Sequence, residues 1–369
     1  MTRKLLFVTF SNSQAYSGGS QCSKRNLQSL QDILEPEHVV TYILKPDKAE
    51  RRLAGTVKRA IGILKGYLGG LTTEALHDVL HLLREGAFTD LFIDSSQLGI
   101  LAKQAKSQNP SLHICTFFQN IEVDFFKSNV YQCKDYRHFF WIPMAKWNEK
   151  AACQYTDTVI VLNEKDAKRL TELYGRKADM VIPITMKDDY TQPLSEKPAG
   201  KPAKEALFVG SYFFGNTQGL AWFCNEILPQ TDAHLTIVGA GMDSFAHDVE
   251  MNSQITIHSN VPDLVPYYEE ADFVVLPITT GGGMKVKTAE ALKYGKYIIG
   301  THEALEGYDI DATTATVCSD VAQFIEAIRR FTPEGKYNPA SRELFLKKYS
   351  YQASLLLFNQ VFKTHEHTD

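Results

Sequence analysis

The sequence predicts an α/β protein made of two Rossmann-like units facing each other across a cleft. Three observations carry this. First, short apolar runs alternate with helix-spaced segments along almost the whole chain, the pattern of parallel sheets covered by helices. Second, one stretch breaks the pattern: Lys187–Ala206 holds Pro193, Pro198, Gly200, Pro202 and several lysines, with no apolar period. Third, glycines follow an apolar run in each half, Gly18-Gly19 in one and Gly281-Gly282-Gly283 in the other. The expected division is a first unit at 1–186, a linker at 187–205, a second unit at 206–345, and a C-terminal helix within 346–369 that packs back on the first unit.

The chain has 369 residues, enough for two ordinary domains, and 44% of them are hydrophobic against 22% charged. A net charge of −4 disfavours bulk nucleic-acid binding. The six cysteines lie far apart with no C-x-x-C spacing, which suits buried thiols better than a disulfide frame or a zinc site. The apolar start, Leu5–Phe10, is too short for a secretory h-region and reads as a strand. No stretch has the length of a membrane-spanning helix, so a cytoplasmic location with membrane-surface contact is expected.

In order, Lys4–Phe10 reads as the first strand, Ser11–Ser20 as a polar loop carrying Gly18 and Gly19, and Gln21–Leu34 as a helix. Gly18 and Gly19 suit a loop facing a phosphate or a sugar; a simple turn would look the same. Val39–Leu44 reads as a strand. Lys45–Leu68 then places seven lysines and arginines against two acids, with Leu53, Val57, Ile61, Leu64 and Leu68 near helical spacing. Such a segment suits an anionic membrane surface or an anionic acceptor, or a solvated helix packed by one face. Thr72–Arg84 reads as a helix stopped by Gly86. Its His77 and His81 have metal-ligand spacing but no third ligand, so no metal is expected.

Leu91–Ile93 and His113–Phe118 read as strands. Asn120 and Glu122 follow the latter, at the carboxyl end where ligands sit in open α/β sheets. Phe139–Tyr155 is an aromatic-rich helix, Thr158–Leu162 a strand, Glu164–Tyr174 a helix ended by Gly175, and Met180–Ile182 a short strand. After the linker, Ala206–Gly210 is a strand running into the Ser211–Gly215 loop. A helix through Trp222 and Ile227 follows, then strands at His234–Val238 and Ile255–His258 and a short helix at Pro262–Glu270. The helices at the end are Val321–Phe331 and Tyr349–Phe362.

The most informative stretch is Leu276–Gly300, LPITTGGGMKVKTAEALKYGKYIIG. It reads as strand end, glycine loop, helix, a glycine C-terminal stop at Gly295, and a strand at Tyr297–Ile299. Such a loop gathers unpaired backbone N–H groups and a helix N-terminus at one point. Lys285 and Lys287 stand where a helix dipole favours acids, an unfavourable placement unless an anion is held. Glu290 follows, placed to accept from sugar hydroxyls. The alternative is a tight turn with two surface lysines. No G-x-G-x-x-G follows the first strand, and neither a P-loop nor a G-x-S-x-G elbow is present. Transfer at a nucleotide-linked group is therefore expected rather than hydride transfer, NTP hydrolysis or ester hydrolysis.

The segments LFVGSYFFGNTQGLAWFCNEILP, LTIVGAG and VPDLVPYYEEADFVVLPITTGGGMKVKTAEALKYGKYIIGTHEALEGYD closely resemble the donor domain of GT-B glycosyltransferases, notably retaining family four and its relatives. TFFQNIEVDFFK and TDTVIVLNEKDAKRLTELYG in the first half are similar more loosely. The resemblance implies sugar transfer from a nucleotide diphosphate sugar, of UDP or GDP type, to a hydroxyl with retention. Polysaccharide or glycoconjugate assembly is the implied setting. The implied donor-binding residues are Gly18, Gly19, Ser211, Val261, Leu264, Gly281, Gly282, Gly283, Met284, Lys285, Lys287 and Glu290. Asn120, Glu122 and Lys285 are the implied catalytic residues. Glu290 matches the second carboxylate of the family's Glu-x7-Glu motif, while the first falls on Gly282. Gln119 stands where relatives with a His-Asn-x-Glu segment have histidine. No cofactor or metal is implied. The expected partners are a nucleotide sugar and a glycan or lipid-linked acceptor, with peripheral membrane contact through Lys45–Leu68 and no nucleic acid. The missing carboxylate and histidine leave two other readings, a non-catalytic sugar-nucleotide-binding partner subunit and a UDP-sugar epimerase.

Overall fold

The computed structural model describes residues 3–10, 18–44, 62–131, 134–190, 204–332 and 335–363. Residues 45–61 of the basic segment and 191–203 of the proline-rich stretch lie outside them. The chain forms two compact units. One comprises residues up to Pro183 together with those from Ser354 onward; the other is Ile184–Ala353.

The first unit is a six-stranded parallel sheet in the order β2-β1-β3-β4-β5-β6. Its strands are β1 (Leu5–Thr9), β2 (Val39–Ile43), β3 (Asp90–Ile93), β4 (His113–Phe118), β5 (Thr158–Val161) and β6 (Met180–Val181). β1 and β3 are buried at every position, as continuous apolar runs in a sheet covered on both faces must be. The strand order reverses between β1 and β3, whose register pairs Leu5 with Asp90. In open α/β sheets, ligands sit at the carboxyl ends beside such a reversal.

Helix α1 (Gly18–Leu34) includes the two glycines, so they are helical and not part of a loop. α2 (Thr73–Glu85) is capped by Thr72, whose hydroxyl accepts from Ala75 N at 3.0 Å. Its expected stop, Gly86, is the C-cap, with its N–H donating to the Leu82 carbonyl; it keeps a right-handed φ of −87°, and the positive φ of 50° falls on Ala87. Gly86 is needed for closeness: a Cβ there would lie 2.3 Å from the Phe88 ring. α3 (Gly99–Gln108), α4 (Glu122–Tyr131), α5 (Trp141–Tyr155) and α6 (Glu164–Tyr174) follow. Asn163 caps α6, and Gly175 ends it with φ 68°. The segment from Ser354 closes this unit, with Phe358 and Phe362 placing their rings 6.3 and 6.4 Å from that of Phe92.

The second unit is a six-stranded parallel sheet in the order β12-β11-β10-β7-β8-β9. The strands are β7 (Lys204–Val209), β8 (Ala233–Gly239), β9 (Ile255–Ser259), β10 (Phe273–Leu276), β11 (Tyr297–Gly300) and β12 (Ala315–Val317). Counted within the unit this is the 3-2-1-4-5-6 arrangement, with its reversal between β7 and β10. Its helices are α7 (Phe214–Trp222), α8 (Val265–Glu270), α9 (Val286–Lys293), α10 (His302–Leu305), α11 (Val321–Arg330), α12 (Pro339–Leu344) and the start of α13 (Tyr351–Lys363). The segment from Ile184 to Tyr190, partly expected in the linker, packs with this unit. Met186 bridges to Ser350, Asp188 pairs with Arg342 at 2.6 Å, and the Tyr190 and Tyr294 rings lie 5.2 Å apart.

α7 runs so close to the end of β10 that a Cβ on Gly219 would lie 1.8 Å from the Pro277 carbonyl oxygen. Only glycine fits without moving the backbone that launches the glycine loop. Gly219→Ala is expected to lower unfolding free energy by about 1–3 kcal/mol, read as a fall in the urea midpoint. An unchanged midpoint would show that this approach is not needed.

Candidate functional site

Two loops flank the strand reversal of the second unit, Gly210–Phe213 after β7 and Pro277–Lys285 after β10. In the second loop Gly281 and Gly283 have positive φ, 130° and 65°, conformations that favour glycine. Gly281 and Gly282 are exposed, Gly283 is half-buried, and Met284 is buried beneath them at 6% exposure. The loop therefore offers backbone rather than side chain to whatever approaches it.

The two lysines are deployed differently. Lys285, at the N-cap position of α9, pairs with Glu303 of α10 at 2.7 Å and donates to the Gly283 carbonyl at 2.7 Å. Its own carbonyl accepts from the Tyr308 hydroxyl at 2.7 Å. Lys287 reaches across the reversal. Its ammonium lies 5.0 Å from the centre of the Phe208 ring in β7 and donates to Asn216 Oδ1 in α7. Asn216 in turn donates from Nδ2 to the Ser211 carbonyl at 2.8 Å. Lys287 thus joins the helix after one loop to the loop on the other side. Burial first, and the neighbouring Lys285 second, pull its pKa down to about 8.

Glu290 lies one turn further along α9, half-buried, and accepts from the Tyr268 hydroxyl at 3.2 Å. Burial raises its pKa, against the lowering effect of the Tyr268 hydrogen bond and of Lys293 and Lys287. The Tyr268 ring stacks on Tyr294 at 4.1 Å. Backbone N–H groups of Tyr267 and Tyr268 donate to the Leu264 carbonyl, which ties Glu290 to the Asn260–Leu264 loop. Val261 and Leu264 are both half-buried in that loop, and Asn260 holds a positive φ of 55° with its Oδ1 accepting from Gly241 N. The structure therefore brings Ser211, Lys285, Lys287 and Glu290 into one connected set, with Val261 and Leu264 beside it. Ser211 itself is exposed and contributes through its carbonyl.

In the first unit the predicted residues separate into two settings. Gly19 touches Gln119: a Cβ at Gly19 would lie 3.0 Å from Gln119 Oε1. Gly18 is exposed at the start of α1. Gln119 Nε2 donates to the Asp94 carbonyl at 3.0 Å, to its carboxylate at 3.2 Å and to Ser23 Oγ at 3.1 Å. Asp94, at the end of β3, also accepts from Thr9 Oγ1 and Asn26 Nδ2, and burial pushes its pKa up to about 6. Glu122 lies elsewhere in character. It is 4% exposed, its backbone N–H donates to Glu149 Oε1 at 2.6 Å, and Gln97 and Asn120 donate to its carboxyl. Burial, reinforced by Glu149, pushes it up to about 8, while burial lifts Glu149 to about 7. Glu122 is thus a largely protonated, enclosed acid at neutral pH, and half-buried Asn120 is among its donors.

Sequence reasoning missed Asn216, Tyr268, Glu303 and Asp94. Glu303 carried a readable signal, an acid in the first turn after β11; the other three depend on which strands are neighbours. His77 and His81 are exposed, with their rings 6.3 Å apart. The five described cysteines are buried and unpaired, and no described helix is long and apolar enough to cross a membrane.

Residues 203–332 match the family described as Glycosyl transferases group 1. Among solved structures, the lipopolysaccharide outer core galactosyltransferase WaaB, in its apo form, superposes with a TM-score of 0.68 at 14% identity, over 98% of this chain and 99% of that one. The chain has the GT-B fold. Two other structures agree with a GT-B assignment. A glycosyltransferase from Rickettsia africae gives a TM-score of 0.63 at 13% identity over the full length of both chains. Anabaena HepE in complex with UDP and glucose gives 0.61 at 10% identity, over 98% and 100%. A sequence relative, an uncharacterized 44.6 kDa protein in the cps region of Klebsiella pneumoniae, is 25% identical over 178 residues. That match covers 42% of this chain and spans only 45% of the relative's length.

Two outcomes follow from the charges. Glu122 holds a proton up to about 8 when folded but only to its ordinary 4.5 when unfolded, so the native state binds the extra proton in between. Unfolding free energy of the wild type should therefore fall as pH rises from about 5 to about 8, and Glu122→Gln should flatten that slope in urea titrations. Lys287 is half-deprotonated near pH 8, and an anion placed beside it would raise its pKa again. Binding of a nucleoside diphosphate at that pH should take up protons, read by calorimetry in buffers of different ionisation enthalpy. Lys287→Met should abolish the uptake.

Proposed function

We propose that the chain is a glycosyltransferase that moves a sugar from a nucleotide diphosphate sugar, of UDP or GDP type, to a hydroxyl acceptor with retention. The observation that carries this is the connected set at the strand reversal: an exposed glycine loop, two lysines at one helix start and a carboxylate one turn beyond. A diphosphate against the loop would meet backbone N–H groups and cationic side chains together, and Glu290 is placed to receive a ribose hydroxyl. In the transfer, the bond from the anomeric carbon to the diphosphate oxygen breaks and a bond to the acceptor oxygen forms. The departing diphosphate takes the electron pair, and the acceptor's proton passes to one of its oxygens. Cationic groups already in place would stabilise the negative charge that develops there. Lys287 would gain its full charge as the diphosphate arrives. No cofactor or metal enters this scheme; Lys287, which has no carboxylate in direct contact, supplies most of the charge neutralisation, and Lys285 is already paired with Glu303.

Relatives support the reading. HepE was solved with UDP and with UDP-glucose. S. aureus TarM, a partial match with a TM-score of 0.53 at 11% identity over 78% of this chain and 59% of that one, was solved with UDP and alpha-GlcNAc-glycerol. The Klebsiella relative lies in a cps region, which fits polysaccharide assembly. On this reading the acceptor is a glycan or a lipid-linked glycan handled by the first unit at the cytoplasmic side of a membrane.

The test is a thermal-shift screen of UDP, GDP, ADP, CMP and their sugar conjugates on wild type and Glu290→Ala. A ligand that binds only the folded state raises its melting temperature. One diphosphate should stabilise the wild type, with the shift largely lost in Glu290→Ala and in the Lys285→Ala, Lys287→Ala double variant. No shift with any nucleotide at millimolar concentration would sink the proposal. A shift with no transfer to any acceptor would favour a non-catalytic sugar-nucleotide-binding subunit.

A further inference from the structure

The first unit exposes large aromatic side chains that its core does not use. Phe139 and Phe140 are 56% and 76% exposed, with their rings edge-to-face at 6.2 Å. Tyr131 and Tyr136 are each 69% exposed, and Trp147 is 45% exposed. These residues are not scattered. The short 3-10 turn Tyr136–Phe140 links α4 to α5, and both helices rest on one small cluster, Leu68, Val123, Phe126 and Ala145. Residues 62–68 join the same surface: a Cβ on Gly66 would meet the Trp147 ring at 2.6 Å, and Asn148 Nδ2 donates to the Gly66 carbonyl at 2.7 Å. There Ile63 and Leu64 are a further 50% and 80% exposed.

Charge on these segments has one sign. In a chain of net charge −4, every exposed charged side chain among the described residues of 62–70 and 127–150 is basic: Lys65, Lys127, Lys134, Arg137, Lys146 and Lys150. Of the acids there, Glu149 is fully buried and Asp135 is half-buried against Arg137 at 2.7 Å. Aromatic rings interleaved with lysine and arginine are what the interfacial zone of a bilayer selects: rings settle at headgroup depth and cations meet lipid phosphates. An acidic protein partner would use the cations but would leave Leu64 and Phe140, the most exposed apolar side chains of the set, with nothing specific to fill.

We propose that the surface formed by residues 62–68, 131, 134–140 and 146–150 docks on a bilayer of anionic phospholipid. The rings of Phe139, Phe140 and Tyr136 and the side chain of Leu64 enter the headgroup layer, and the surrounding lysines contact phosphate. The exposure and charge of this surface are the same whether or not the chain transfers sugars.

The experiment is cosedimentation of the full chain with vesicles of phosphatidylcholine, alone or mixed with phosphatidylglycerol. Wild type should pellet with the mixed vesicles, not with phosphatidylcholine alone, and added salt should release it. Phe139→Ser with Phe140→Ser, and separately Lys146→Glu with Lys150→Glu, should each weaken binding by about tenfold or more. Both pairs are exposed, so each variant should melt like wild type, which separates lost binding from lost folding. Failure of wild type to pellet with the mixed vesicles overturns the proposal. So does binding that neither variant weakens. Retention on polyglutamate with no vesicle binding would assign the surface to an acidic protein and overturn it equally.

Discussion

The second unit depends on one cation placed where cations are disfavoured. Lys287 stands in the first turn of α9, against the helix dipole, and is half-buried. It is held by the π-face of Phe208 and the amide oxygen of Asn216. Neither of these contacts carries a charge; the carboxylate that acts on Lys287 is that of Glu290, further along the same helix. Lys285 is treated in the opposite way, with a carboxylate at 2.7 Å. One lysine has a carboxylate in direct contact and the other feels only that of Glu290, and the difference follows from which element each reaches, α10 for Lys285 and β7 with α7 for Lys287. Because Lys287 contacts β7 and α7 while sitting on α9, it also fixes the spacing of the two loops on either side of the strand reversal.

A similar economy governs the first unit, with acids in place of bases. Asp94 and Glu122 are both buried near the carboxyl end of the sheet, but their surroundings differ. Asp94 gathers donors from β1, α1 and the end of β4, which limits how far burial can raise it. Glu122 has a second carboxyl, Glu149, beside it, so the two cannot both be ionised without large cost. A residue's position at the end of a strand therefore does not fix its chemistry; the partners supplied by neighbouring strands do.

That distinction marks how far the sequence could be read. Strands and helices were legible wherever apolar runs and glycines punctuated the chain: β4 at His113–Phe118 and α6 at Glu164–Tyr174 end where the pattern says they should. The loop–helix–strand unit from Leu276 to Gly300 was legible too, because a glycine loop, a glycine stop and two apolar strands are local signals. Gly18 and Gly19 were misplaced by a turn, since glycine marks both loops and helix starts. Gly86 is the stop that the pattern marks, and it also permits the close approach of the Phe88 ring, which the pattern does not encode. The partners of Lys287 and Glu290 were unreadable for the same reason. Asn216 lies 71 positions from Lys287 and Tyr268 lies 22 from Glu290, and only strand order brings them together.

The return of the chain from the second unit has a consequence for biosynthesis. Phe358 and Phe362 complete the aromatic packing on Phe92, and the Phe362 carbonyl accepts from Arg3, which also pairs with Asp90. These residues leave the ribosome only after every strand of both sheets has been made. The first unit is therefore the first to be translated but cannot be the first to be finished. Until then the Phe92 side of its sheet lacks its cover, a vulnerable interval for a nascent chain that the second unit, continuous from Ile184 to Ala353, does not share.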